Sequence, residues 1–112
     1  MIGFVDNQNV VILAQLACPA SIETLLYQVP AGFRSFIAEL SVCNRSGVST
    51  SFRFSISTLG QPTATTDYFY FNTPINANDT FASEIQVTLN PFDAIRVFTP
   101  SANLTFALMG VP

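Results

Sequence analysis

From residue 20 onward, apolar and polar positions alternate in steps of two, and a helical period never holds for long. In FRSFIAELSVC (33–43), Phe36, Ala38, Leu40 and Val42 fall on one face, with Ser35, Glu39 and Ser41 on the other. TSFRFSIST (50–58) is more regular: Phe52, Phe54 and Ile56 alternate with Arg53, Ser55 and Ser57. This is the pattern of strands buried on one face only. ETLLYQV (23–29), DYFYF (67–71), TFASEIQVTL (80–89), AIRVFT (94–99) and NLTFALM (103–109) extend the series. Seven strands are predicted, and VVILAQLA (10–17) is either an eighth or a short helix.

Turn chemistry separates these runs at short intervals. Val29-Pro30-Ala31-Gly32 suits a type I turn, with Pro in second place and Gly in fourth. Asn44-Arg45-Ser46-Gly47, Asn76-Ala77-Asn78-Asp79 and Asn90-Pro91-Phe92-Asp93 carry related signals. Short strands punctuated in this way predict an all-β fold, an antiparallel β-sandwich, jelly-roll-like, formed by residues 20–112. Before Pro19 the strand and turn rhythm is absent, so residues 1–19 are expected to form an N-terminal arm. Its apolar stretch (Val10, Val11, Ile12, Leu13 and Leu16 among its members) follows Asp6-Asn7-Gln8-Asn9 and ends at Pro19, which cannot donate to a sheet. An apolar run of this kind needs cover, and the arm is expected to add a strand to a neighbouring subunit or another protein.

At 112 residues, 49% of them apolar and eleven of them Phe, the chain is one domain with ample material for a core. Charged residues make up only 10%, whereas ten Ser, eleven Thr, eight Asn and five Gln supply neutral polar groups. Such groups cost less to desolvate than charges, and the centres of protein interfaces are depleted of charge. The chain is therefore expected to spend much of its surface against other subunits. Arg34, Arg45, Arg53 and Arg96 are the only cations in a net charge of −3, which cannot form the positive stripe that neutralises phosphates. Nucleic acid is not an expected partner. The N-terminal stretch lacks the basic residues of a secretory signal, and its apolar run from Val10 to Ala17, eight residues long, falls far short of the ~20 that span a bilayer, so neither secretion nor membrane insertion is expected. Cys18 and Cys43 match no zinc or redox spacing and are expected to be reduced, small buried hydrophobes, with a disulfide between them as the alternative.

Chemistry is sparse. Without His there is no Ser-His or Cys-His pair, and without Lys no Schiff base or phosphate-gripping lysine. The carboxylates Asp6, Glu23, Glu39, Asp67, Asp79, Glu84 and Asp93 remain, mostly at strand ends or turns where acids hold backbone. No enzyme, cofactor or metal site is expected, and Asn76, Asn78, Asp79 and Thr80 lack the acidic density of a calcium loop. Asn44, Asn78 and Asn103 match the glycosylation acceptor pattern but read as turn or strand residues. Tyr68 and Tyr70 alternate with Phe69 and Phe71, which predicts core phenylalanines and rim tyrosines able to anchor a partner or stack on sugar. Arg53 and Arg96 lie mid-strand on polar faces and are expected to pair with Glu39 or Glu84 across strands or subunits.

The stretches LLYQVPAGFRSFIAELSVCNRSG, YFYFNTPINANDTF and TLNPFDAIRVFTPSANLTFALMG resemble a family of small β-rich virion structural proteins of tailed bacteriophages. The shared features are a VPAG-type turn, a CNRSG-like turn after the next strand, a TPI-A-NDTF segment and a closing strand ending at Gly, over about residues 24–110. Where family members often begin the first long strand with Lys, this chain has Phe33 and Arg34. The resemblance implies an assembly role in the virion without enzymatic residues. The expected function is a capsid decoration or cement protein bridging major capsid subunits, present as a homotrimer that matches local three-fold axes. The alternatives are a neck, tail or fibre-associated position, and a carbohydrate-binding host-attachment module using Tyr68 and Tyr70.

Overall fold

The structure is a computed structural model that describes residues 10–112. Eight strands form two four-stranded antiparallel sheets: β1 (Val11–Ala17), β2 (Thr24–Gln28), β3 (Ser35–Asn44), β4 (Thr50–Ser57), β5 (Tyr68–Ile75), β6 (Thr80–Leu89), β7 (Ala94–Phe98) and β8 (Leu104–Val111). One sheet has the order β1-β8-β3-β6 and the other β2-β7-β4-β5. First pairs with last, second with seventh, third with sixth and fourth with fifth, as if one long hairpin had been rolled across both sheets. The sheets enclose a core of Leu26, Val29, Ile37, Leu40, Val42, Phe52, Phe54, Ile75, Leu89, Ile95, Val97, Leu104, Phe106 and Leu108. The expected β-sandwich is therefore the fold.

Aromatic rings join the two layers. Phe52 of β4 lies 5.1 Å from Phe81 of β6 and 6.0 Å from Phe106 of β8, ring centre to ring centre. The Tyr27 hydroxyl meets Ser35 Oγ at 2.7 Å, and the Tyr70 hydroxyl bonds Ser83 Oγ, so two half-buried phenols find partners across the sandwich.

Residues 10–19, expected as part of a separate arm, belong to the sandwich. β1 pairs with β8 of its own chain from Val11 opposite Gly110 to Ala17 opposite Thr105, and the Cys18 amide continues the ladder to the Leu104 carbonyl. Leu13, Ala14 and Leu16 pack on the core, and Cys18 is fully buried. The stretch carries too few polar positions to show alternation, yet an apolar run is what an edge strand needs to cover one side of β8. Residues 1–9 of the expected arm lie outside the described residues.

Two expected faces are reversed by β-bulges, which insert one residue and shift side-chain parity. In β3, Ile37 faces Gly110 and Glu39 faces Met109, which leaves Ala38 extra against β8. Leu40 and Val42 point inward as expected, but the third core residue is Ile37, while Phe36 is exposed and Ala38 half-buried. At this point β8 needs a glycine, because a Cβ on Gly110 would run into the Phe36 carbonyl. In β5, irregular pairing with β4 and a positive φ at Asn72 turn Phe69 and Phe71 outward, 52% and 54% exposed, and Tyr70 toward the core. The expectation of core phenylalanines and rim tyrosines is thus inverted around Tyr70.

The turns form where expected, except that the first, expected at Val29 to Gly32, is shifted by one residue and changes type. Phe33 N–H bonds the Pro30 carbonyl at 3.2 Å and Gly32 has φ +79°, so the turn is Pro30-Ala31-Gly32-Phe33, with glycine in the position that needs a left-handed backbone. Asn76 to Asp79 and Asn90 to Asp93 close with backbone bonds of 3.3 and 3.1 Å, and the Asn44 side chain accepts from Ser46 N–H at 3.0 Å.

Candidate functional site

The candidate residues occupy three separate places. The first is the outer face of the β2-β7-β4-β5 sheet. Arg53 on β4 stands opposite Phe98 on β7, and its guanidinium lies 4.7 Å from the centre of that ring and 4.3 Å from the centre of Phe71 on β5. Nε donates to Asn72 Oδ1 at 2.8 Å, and the Tyr68 ring meets Phe71 nearly edge-on at 4.9 Å. The result is a cation held between two aromatic faces, with the end of its planar fork as the accessible polar edge. The expected pairing of Arg53 with Glu39 or Glu84 does not occur within the chain, because those carboxylates sit on β3 and β6 in the other sheet.

Arg96, on the same outer face, is occupied. Its Nη1 donates to Gln61 O at 2.8 Å and Ser57 Oγ at 3.1 Å, and its Nη2 to Gly60 O at 3.1 Å. These bonds pin the connection between β4 and β5 across the end of the sheet. Asp67 tightens the same connection, accepting from Ala64 N–H at 2.7 Å and Ser57 Oγ at 3.1 Å. Asp93 joins two loops by accepting from Asn90 N–H at 2.8 Å and Leu59 N–H at 3.0 Å. Arg96 is thus a structural residue, and its expected pairing with Glu39 or Glu84 is replaced by loop carbonyls and hydroxyls.

The second place is the outer face of the β1-β8-β3-β6 sheet. Its central positions are small and neutral: Ser41 stands opposite Ala82 on β6 and Ala107 on β8, and Cys43 opposite Thr80 and Thr105. Glu39 and Glu84 are directly opposite one another at one side of this face. Like charges in that position repel.

The third place is the edge formed by β1. Val10, Val11 and Ile12 are exposed there, whereas Leu13 and Leu16 turn inward. Of the two tyrosines proposed for a ligand, Tyr68 borders the Arg53 stack. Tyr70 is committed to the interior, its ring near Phe52, Phe54 and Phe81. Sequence reasoning missed Phe71, Phe98 and Asn72 as partners of Arg53, because they lie on three-dimensional neighbours that strand alternation alone cannot align.

Cys18 and Cys43 are free thiols. Burial pushes the Cys18 thiol up from its ordinary pKa, offset in part by contacts with the Thr24 side chain and the Thr99 backbone. Cys43 is half-buried on the outer face of its sheet. At mildly alkaline pH, an iodoacetamide time course followed by mass spectrometry is expected to modify Cys43 while native Cys18 stays unmodified. Equal rates at both would contradict the burial of Cys18. The same shift has a sign for stability: a thiol with a raised folded pKa contributes fully below the ordinary thiol pKa and loses that contribution as pH rises above it and through the raised folded value.

Among the described residues no group of three or more Cys, Asp or Glu converges to hold a metal, and no helix is long and apolar enough to cross a membrane. Comparison with protein-family models, curated proteins and solved structures finds no match to this chain.

Proposed function

We propose that this chain is a non-enzymatic structural subunit of a phage virion, acting in many copies as a capsid decoration or cement protein. The observation that carries the reading is the character of the two outer sheet faces. One is a broad face of Ser, Ala and Thr side chains with Glu39 and Glu84 at one side, and the other presents Tyr68, Phe71 and Phe98 around Arg53. Neutral small residues with an aromatic and arginine centre form the composition of a protein-binding surface. The rolled pairing of the strands, read as a jelly roll, agrees with the resemblance to small β-rich virion proteins and suits a compact unit that attaches without rearranging. A carbohydrate-binding role loses its two-tyrosine basis with the inward packing of Tyr70 against Phe52, Phe54 and Phe81.

The test is a cryo-EM reconstruction of the particle in which this chain is made. Density for the sandwich on the capsid exterior, contacting more than one major capsid subunit, is expected. Density at the neck or tail would move the subunit to that position, and absence from purified particles would overturn the virion reading.

A further inference from the structure

Arg53 and the Glu39–Glu84 pair lie on opposite broad faces of the sandwich. Arg45 also borders the acidic face, but its guanidinium is tied down there, Nε donating to Thr105 Oγ1 at 2.8 Å and Nη2 to the Ala102 carbonyl at 3.2 Å. On the β2-β7-β4-β5 face, the Arg53 guanidinium is covered on both sides by Phe71 and Phe98, and its Nε is taken by Asn72. Among the described residues no acceptor meets its two terminal amino groups, and no acidic residue shares the stack. Stacking removes water from the flat faces of the guanidinium and leaves the in-plane Nη fork pointing outward. That geometry matches the two oxygens of a carboxylate. On the opposite face of the molecule, Glu39 and Glu84 stand side by side on β3 and β6, and among the described residues no donor reaches either carboxylate. An unrelieved pair of like charges costs stability where it stands, and an approaching cation would relieve it.

We infer that the Arg53 face of one copy docks on the Glu39–Glu84 face of a second copy, the guanidinium fork taking a carboxylate of that pair. This rests on the reading of the chain as a multi-copy building block and supplies the contact between copies. Shape agrees with charge: Phe71, Phe98 and Tyr68 project from one face, while Ser41, Ala82 and Ala107 keep the other low around the acidic pair. The molecule measures 43 × 34 × 20 Å, so each broad face exceeds the ~800 Å² that one partner contributes to a standard stable interface. The two surfaces in contact are different, so the interface is heterologous. Repetition of such a contact closes into a ring, as a homotrimer would require, or continues as a filament.

The test uses charge reversal with the full chain. Wild type is expected to self-associate in sedimentation velocity across micromolar concentrations. Arg53→Glu and Glu84→Arg should each weaken association by roughly a hundredfold or more, the scale of an unpaired or opposed charge at a desolvated contact. Mixing the two variants should restore it, because Glu at position 53 of one variant then meets Arg at position 84 of the other, and the remaining wild-type faces also match. Monomeric wild type overturns the docking geometry, as does wild-type association in either variant, or a mixture of folded variants that stays apart. If Arg53→Glu does not fold, Glu84→Arg at its exposed position decides alone, and undiminished association sinks the inference. Wild type that stays monomeric yet binds polygalacturonate, with binding lost in Arg53→Gln, would assign the fork to an acidic saccharide instead. Failure here leaves the virion reading intact, since that reading is judged by the presence of the chain in particles.

Discussion

A chain beginning at Ala20 is expected to lose its cooperative thermal transition, followed by circular dichroism. The deletion removes β1 and Cys18, and with them the cover over one edge of β8. β8 contributes Leu104, Phe106 and Leu108 to the core, all fully buried, and β1 packs Leu13, Ala14 and Leu16 against that cluster. Fully burying a Leu side chain stabilises by about 1.5–3 kcal/mol, the half-buried Leu13 and Leu16 gain part of that, and the ladder bonds to β8 add to it. Two such residues, a buried Cys and a lost strand are together comparable to the ~5–15 kcal/mol that holds a domain of this kind folded. A truncated chain that melts like the wild type would mean that β1 is dispensable, as a detachable arm would be. The milder substitution Leu16→Ala should leave a folded protein that is measurably less stable, which separates a packing role from a simple failure of expression.

That expectation reverses the one drawn from the sequence, and the cause is physical. Alternation identifies a strand by the contrast between its two sides. β1 has almost no polar side, because VILAQLA carries Gln15 as its single polar residue. The same stretch was legible as something needing cover, but its position against β8 depends on a pairing between residues about ninety apart in the chain. The strands with strong contrast, β3, β4 and β6, were read nearly to their ends. Their parity was not always right, since a bulge cannot be seen in a pattern that assumes strict steps of two. Ala38 in β3 and the irregular stretch through Asn72 in β5 each exchange the inner and outer sets. The Arg53 site went unread for the same reason: Phe71 reaches the outer face only because β5 breaks its alternation. Asp67 and Asp93 were legible as turn-holding acids, because their partners lie close by in sequence or in adjoining turns.

The largest effect expected of a single substitution is at Phe52. The sequence singles out Phe54 as the centre of the most regular strand, and both rings are fully buried. Among the described residues, Phe54 has ring neighbours only on β5, at 6.1 Å from Phe69 and 6.2 Å from Tyr70. Phe52 also reaches Tyr70, at 6.1 Å, and spans the sandwich to Phe81 and Phe106, so its ring fills the space between the two sheets. Truncation there leaves a cavity bounded by β4, β5, β6 and β8, strands that are fixed by their own ladders and cannot all move inward to close it. Phe52→Ala is expected to cost about 3–5 kcal/mol in equilibrium urea unfolding, with Phe52→Leu costing less because it refills part of the volume. Ser55→Ala is the matched control on the same strand. Ser55 is buried rather than exposed, but its hydroxyl makes only a long 3.4 Å bond to the Arg96 carbonyl, so its loss should cost no more than about 1 kcal/mol. Unfolding midpoints that coincide for Phe52→Ala and Ser55→Ala would mean that the rings of the two sheets do not meet across the core as described, and that the sandwich is held chiefly within each sheet.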